Sequence, residues 1–153
     1  METEPSPPLP RAAPTSVLDP QLILTYRTAR YRVFDPPAGF ALGVDAFSSR
    51  LAALVSALPV RAAALITACN PGGELRTVAE NRVAMMQLRG ELRGRCARLL
   101  DAENSGAGGD WVEPSVLVLG IARIAALELG RRWGQNAILY AGADAVPRLE
   151  LLR

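Results

Sequence analysis

Apolar residues in the first third of the chain recur at helical spacing. Asp19-Pro20 has the form of an N-cap followed by a first-turn proline, and the pattern after it predicts a helix over residues 20–32. The short apolar run 40–44 is followed by Asp45, which is suited to cap a second helix that Pro59 ends. The apolar face of this second helix is predicted to carry Phe47, Leu51, Leu54, Val55 and Leu58.

The rest of the chain alternates between continuous apolar runs and helical patterns. Residues 62–67, apolar up to Thr67, predict a buried strand, after which 70–73 must turn. Thr77 and Glu80 form a capping box that begins a long helix, predicted to reach about residue 99. Further strands are predicted at 101–104, 115–121, 136–141 and 146–152. A glycine-rich loop at 105–110 and a helix over 122–133, closed by Gly134, complete the pattern.

This order of elements predicts an α+β fold. From residue 62 onward it reads strand, helix, strand, strand, helix, strand, which is the split βαβ or ferredoxin-like arrangement with a mixed or antiparallel sheet. An extra N-terminal helix, a strand-helix unit and a C-terminal hairpin strand are added to that core. The strands at 62 and 115 should be antiparallel neighbours, and the strand at 136 should flank the first on its other side.

The predicted strand directions collect polar residues at one rim of the sheet, where the strand at 62–67 ends and two others begin. Those residues are Thr67, Asn70, Trp111, Glu113, Ser115, Gln135 and Asn136, and the N-terminus of the long helix adds Arg76, Glu80 and Asn81. We expect Asn70, Glu113 and Gln135 in particular to lie close together. A parallel doubly wound sheet would separate Asn70 from the other two by roughly 17 Å.

The leading hypothesis is a site on this rim for a small polar or anionic, nucleotide-like ligand. The amides of Asn70, Asn81, Gln135 and Asn136 would form hydrogen bonds with it, together with the hydroxyls of Thr67 and Ser115. Arg76, the helix N-terminus and the backbone donors of Gly72-Gly73 would take an anionic group. Glu113, between Trp111 and Pro114, is the candidate catalytic acid or base, or a clamp on the ligand.

Each of these residues also has a structural interpretation. Glu80 is accounted for by the capping box, and Asn70 before a proline is an ordinary turn residue. Asn136 could simply end a helix-to-strand loop. For Glu113 the structural and the catalytic interpretations both stay open.

Composition excludes much familiar chemistry. The chain has no histidine and no lysine, so its 17 basic residues are all arginine. This removes histidine acid–base catalysis, lysine Schiff bases and the lysine of phosphate-binding loops. We expect no metal and no cofactor, because zinc sites depend on histidine and cysteine. A net charge of +2 does not demand a nucleic acid or a membrane as partner.

Two other functions remain as alternatives. Arg82, Arg89, Arg93, Arg95 and Arg98 crowd the predicted long helix, which is compatible with nucleic-acid binding. The final strand at 146–152 could instead pair with a protein partner or a second copy of the chain. The oligomeric state is left open by the sequence.

Several features indicate a cytoplasmic protein. The proline-rich residues 1–16 do not resemble a secretory leader, and we expect a disordered tail there followed by one domain over 17–153. The apolar region 51–69 is interrupted by Pro59 and Arg61, which disfavours a membrane-spanning helix. Cys69 and Cys96 are expected to be free thiols.

Several short motifs resemble one bacterial family, Domain of Unknown Function 3293. They are Thr67-Ala68-Cys69-Asn70-Pro71, Glu80-Asn81, Glu113-Pro114-Ser115, Gly120-Ile121 and Gly134-Gln135-Asn136-Ala137-Ile138. The resemblance covers about residues 22–151, and the chain departs from it at Cys69, where a larger residue is expected. The resemblance implies the extent of the fold and the choice of polar positions, and it implies no activity.

Overall fold

The computed structural model describes residues 16–153, which form an α+β structure with four α-helices and one antiparallel sheet. Residues 1–15, and with them nearly all of the predicted tail, lie outside the described part. The elements in chain order are α1 (Pro20–Thr28), β1 (Arg30–Val33), β2 (Phe40–Leu42), α2 (Ser49–Ser56), β3 (Ala63–Ile66), a 3-10 turn (Pro71–Gly73), α3 (Val78–Leu92), β4 (Arg98–Ser105), β5 (Val112–Leu119), α4 (Arg123–Arg132), β6 (Ala137–Ala141) and β7 (Arg148–Leu151).

The sheet has seven strands in the order β2-β1-β4-β5-β3-β6-β7. Strand β3 lies between β5 and β6 and is antiparallel to both, with Ala63 opposite Leu119 on one side and Ala141 on the other. The predicted neighbours and directions of these three strands are therefore confirmed. The end of β3 and the starts of β5 and β6 meet at one rim, as expected, and β7 is an edge strand.

Alternate residues of the central strands face two separate apolar cores. On one face, Leu88 and Leu92 of α3 and Leu129 of α4 pack with strand residues such as Ile66 and Val118. On the other face, Leu51 and Val55 of α2 pack with residues that include Leu65 and Leu117. Full burial of a leucine contributes about 1.5–3 kcal/mol, so these two layers fix the position of the sheet.

The N-terminal part differs from the sequence prediction. The first helix ends at Thr28 rather than at 32, because Tyr31 and Val33 are alternately buried in β1, which pairs with both β2 and β4. The N-cap of α2 is Ser48, whose Oγ accepts the Leu51 amide hydrogen at 3.2 Å. Asp45, the predicted cap, instead has a left-handed backbone with φ 61°, and Phe47 is exposed.

The long helix is shorter than predicted, although its start is confirmed. At its N-terminus the Thr77 hydroxyl accepts from the Glu80 amide, and the Glu80 carboxylate accepts from the Thr77 amide, which completes the capping box. The helix ends at Leu92, and Gly94 turns the chain with φ 81°. Cys96 therefore follows the helix. Strand β4 begins at Arg98 rather than 101 and β5 at Val112 rather than 115, while β7 is confined to Arg148–Leu151.

Candidate functional site

A cavity of about 340 Å³ lies between α1 and the rim of the sheet where β3 ends and β5 and β6 begin. We call it the first cavity. Its apolar lining includes Tyr31, Leu65, Leu139 and Leu149. Its polar lining consists of Thr67, Asn70, Asn104, Glu113, Gln135 and Asn136, together with Thr25 and Tyr26 of α1. Five of the eight residues predicted for a site are thus brought together here.

Asn70 and Glu113 are in direct contact at the mouth of this cavity. The Asn70 Nδ2 donates to Glu113 Oε2 at 3.0 Å, although the two residues are 43 positions apart. Gln135 joins them from the segment that precedes β6, since its Nε2 donates to the Cys69 carbonyl at 3.1 Å. The prediction that these three residues share a rim is confirmed, and the separation expected for a parallel sheet is excluded.

Asn70 is held in place by hydrogen bonds other than the one it donates to Glu113. It has a left-handed backbone with φ 46°, a region that asparagine tolerates better than most residues. Its Oδ1 accepts from the Arg76 amide at 2.9 Å and from Asn81 Nδ2 at 3.0 Å, while its own amide donates to Asn81 Oδ1 at 3.0 Å. Asn81 therefore orients Asn70, and Asn70 orients the carboxylate.

Glu113 is the single charged side chain among the described residues that line the first cavity. Burial raises the pKa of its carboxyl above the usual value, and the hydrogen bond from Asn70 partly opposes that rise. The Thr67 hydroxyl acts on the pKa in the same direction, although its hydrogen is donated to the Pro114 carbonyl. No protein donor within residues 16–153 reaches Oε1. The carboxylate is thus fixed at one oxygen and open to a ligand at the other.

The Asn136 amide, just before β6, and the hydroxyls of Thr67 and Ser115 form hydrogen bonds within the protein itself. Asn136 is buried and its Nδ2 donates to the Tyr26 hydroxyl at 3.1 Å, which ties α1 to the sheet. Thr67 donates to the Pro114 carbonyl at 2.8 Å. Ser115 is fully buried and does not line the cavity; its hydroxyl donates to Asn104 Oδ1 at 2.7 Å, so it positions Asn104.

Arg76 and Asn81 line a different cavity. This second cavity, of about 350 Å³, lies between the start of α3 and the end of α4, where Glu80, Arg132 and Trp133 also line it. Arg76 is exposed and its guanidinium lies 3.6 Å from the Glu74 carboxylate. Asn81 does not line the first cavity but forms two hydrogen bonds with Asn70, which does.

The expected anion cradle is not formed by the turn at 71–73. The Gly72 amide donates to the Gly134 carbonyl at 2.7 Å, and the Gly73 amide donates to the Asn70 carbonyl at 2.9 Å. Both donors are therefore satisfied within the fold. Arg76 lines the second cavity and not the first, so the structure does not bring these expected anion donors together beside Glu113.

Sequence reasoning missed the aromatic and amide residues that complete the first cavity: Tyr26, Tyr31 and Asn104. Tyr31 was assigned to a helix, although the alternation Arg30-Tyr31-Arg32-Val33 is also typical of a strand. The contact between Asn104 and Ser115 depends on the register in which β4 pairs with β5, so it could not be predicted from either residue alone. For Tyr26 no local signal marks the residue as part of a cavity.

The arginines proposed for nucleic-acid binding are mostly paired with acids. Arg89 lies 2.9 Å from Asp101, Arg95 3.8 Å from Glu91 and Arg98 3.3 Å from Asp35. Arg95 and Arg98 also follow the helix rather than belonging to it. These ion pairs reduce the positive field that phosphate recognition requires.

Other chemistry is limited in the part of the chain that the structure describes. Both cysteines are free, and burial raises the pKa of the Cys69 thiol, which disfavours the nucleophilic thiolate. Residues 16–153 contain no group of three or more histidine, cysteine or acidic side chains placed to hold a metal ion. Over the same residues, no helix has the length and apolar character needed to cross a bilayer.

Comparison with known proteins gives one match. Residues 66–138 match the model of a family described as a protein of unknown function, DUF3293. A search of curated proteins and a search of solved structures each gave no match. The matched stretch is shorter than the resemblance inferred from the motifs, but it contains Thr67, Asn70, Glu113 and Gln135. Through residues 66–138 the chain is similar to the DUF3293 family.

Proposed function

We propose that the protein binds a small polar organic ligand in the first cavity, with Glu113 as its anchor. The observation that carries this proposal is the fixed carboxylate in an otherwise uncharged cavity. One oxygen is held by Asn70, while the other is open to a ligand. Ligand sites in proteins are typically concave and mostly apolar, with a few placed polar groups.

The size and lining of the cavity support a compact ligand with a flat apolar body. A volume of about 340 Å³ is at the lower end of the range for small-molecule sites, which suits a group the size of a nucleobase or nucleoside. Tyr26, Tyr31 and Trp111 provide ring surfaces. Of the nucleotide-like ligand expected from the sequence, we therefore propose the base or nucleoside part without a phosphate, because no arginine of residues 16–153 lines this cavity.

Glu113 also has the properties of a general acid or base. Efficient proton transfer favours a pKa near the working pH, and burial moves the pKa of this carboxyl in that direction. Binding does not require catalysis, so turnover is a separate question to be asked of each ligand that binds.

The fold and location belong to the same proposal. The strand order β4-β5-β3-β6, with α3 and α4 as crossover helices, supports a ferredoxin-like core. The two free thiols support a reducing, cytoplasmic environment.

A thermal-shift screen with a chemically diverse library of small polar molecules tests ligand binding. A ligand that binds only the folded state raises the melting temperature according to its affinity. We expect at least one compound to stabilise the wild type and to lose its effect in Glu113→Ala. The matched control is Glu103→Ala, a carboxylate on β4 that is opposite Pro114 and does not line the cavity.

The proposal fails if no compound stabilises the wild type more than Glu113→Ala. Each shift is measured against the melting temperature of the same variant without compound. A general change in stability is therefore not mistaken for loss of binding.

A further inference from the structure

The charge of the first cavity is opposite in sign to the charge of the chain. The chain has 17 arginines and a net charge of +2. None of the arginines in residues 16–153 lines the first cavity, whereas one carboxylate does. A ligand that enters this cavity therefore meets a negative group in the lining, whereas Arg153, whose charge acts on Tyr26, lies outside the lining beside Gly72.

The Glu113 carboxylate has one oxygen available for a hydrogen bond from a ligand. Its Oε2 accepts from Asn70, which is fixed in turn by Asn81 and by the Arg76 amide. Its Oε1 receives no hydrogen bond from the described residues. Glu113 is partly buried, and placing a carboxylate in such a position costs free energy unless it is paired. A cationic donor at Oε1 would supply the ion pair that the described residues do not provide.

Aromatic residues are concentrated around the same cavity. The chain has eight aromatic residues, and three of them, Tyr26, Tyr31 and Trp111, line the cavity. The face of an aromatic ring attracts a cation, and desolvation strengthens that attraction. Ring surface and a carboxylate together are the lining that a flat organic cation requires.

We propose that the ligand of the first cavity is a small organic cation, an amidinium or protonated amine on a flat apolar body, paired with Glu113 Oε1. This inference rests on the proposed function, because it names the class of molecule that the same cavity binds. An anion is disfavoured by the carboxylate. A neutral ligand would leave the charge of Glu113 without a counter-charge.

Three probes of nearly equal shape test the charge of the ligand: benzamidine, benzamide and benzoate. We expect isothermal titration calorimetry on the full chain to show that benzamidine binds at least about tenfold more tightly than benzamide, because charge-assisted hydrogen bonds are roughly twice as strong as neutral ones. Benzoate should bind more weakly than either.

The variant Glu113→Gln keeps the shape of the side chain and removes its charge. In this variant we expect benzamidine to lose about tenfold or more in affinity, while benzamide changes little. Glu103→Gln, which removes a carboxylate that does not line the cavity, should leave both affinities unchanged.

The outcomes separate this inference from the proposed function. The cation class is wrong if benzamide or benzoate binds as tightly as benzamidine, or if Glu113→Gln leaves the benzamidine affinity unchanged. It is also wrong if benzamidine fails to bind while a neutral or anionic compound from the diverse library binds at Glu113. Ligand binding itself fails only when neither the probes nor the library bind the wild type in a Glu113-dependent way.

Discussion

The two cavities lie on either side of the segment 70–76 and have nearly equal volumes, about 340 and 350 Å³, but their charged groups are satisfied differently. In the second cavity Arg76 pairs with Glu74 and Arg132 pairs with Glu91, while the Glu80 carboxylate is used by the capping box. In the first cavity Glu113 has a neutral amide partner and no cation. Volume and the number of charged side chains would favour the second cavity as the ligand site. The carboxylate without an ion-pair partner favours the first cavity instead.

Asn70 is the residue that separates these two environments. On one side it holds Glu113, and on the other it is held by Asn81 and the Arg76 amide. The contrast between the cavities therefore depends on one side chain with a left-handed backbone. Changing that residue should have the largest effect on stability of the substitutions discussed below.

We expect Asn70→Ala to lower the free energy of unfolding by about 3 kcal/mol. Three side-chain hydrogen bonds are lost, at about 0.5–1.5 kcal/mol each, and alanine is less favourable than asparagine in the left-handed region. Urea denaturation at neutral pH measures the change.

Asn70→Gly separates the two causes. Glycine adopts a positive φ without strain, so this variant loses only the hydrogen bonds and should be less destabilised than Asn70→Ala. Equal stability of Asn70→Ala and the wild type would show that the side-chain hydrogen bonds of Asn70 do not stabilise the segment between the two cavities.

Local signals predicted the elements whose causes are local. The capping box of Thr77 and Glu80 needs only four consecutive residues, and the start of α3 follows from it. The end of α3 did not follow, because Cys96 and Leu99 continue the helical spacing of Leu92 across a turn. Likewise the spacing of Val33 is compatible with both a helix and a strand. The pairing of β1 with β2 and β4 places it in a strand.

The candidate site was predictable to the extent that it depends on strand direction. Asn70, Glu113 and Gln135 each lie next to an apolar run, so antiparallel neighbours bring them to one rim. Tyr26 and Asn104 depend on the docking of α1 and on the β4–β5 register, which are non-local. Arg76 was assigned to the wrong side because its position depends on how the chain leaves the turn at 71–73.

The second prediction uses pH to test whether the charge of Glu113 lacks compensation. A carboxyl with a raised pKa in the folded state ionises first in the unfolded chain. Stability is therefore lost as pH rises from the unfolded value of about 4.5 through the raised folded pKa. Glutamine does not titrate, so Glu113→Gln should gain stability relative to the wild type across that window.

Above this pH window, the unfolding free energy of Glu113→Gln should exceed that of the wild type by about 1.4 kcal/mol for each unit by which the pKa of Glu113 is raised. The difference should vanish below about pH 4.5. Urea denaturation of both proteins between pH 4 and 8 measures the difference, in which other titrating groups cancel. Glu103→Gln corrects for removal of a carboxylate elsewhere in the sheet. A difference that stays constant with pH, or that falls as pH rises, would mean that the carboxylate is compensated in the folded protein.

The smallest effect is expected at Arg76, in the second cavity. Its side chain is 44% exposed and that of the paired Glu74 is 77% exposed, with the charged groups 3.6 Å apart, and exposed ion pairs of this kind contribute little. Arg76→Ala keeps the backbone amide that donates to Asn70, so we expect a change in unfolding free energy of no more than about 0.5 kcal/mol. Inorganic phosphate should raise the melting temperature of the variant and the wild type equally. If phosphate stabilised only the wild type, the second cavity would bind an anion through Arg76, and the contrast between the two cavities would be reversed. If Arg76→Ala cost as much as Asn70→Ala, the Arg76 side chain would contribute to folding as strongly as the hydrogen bonds of Asn70.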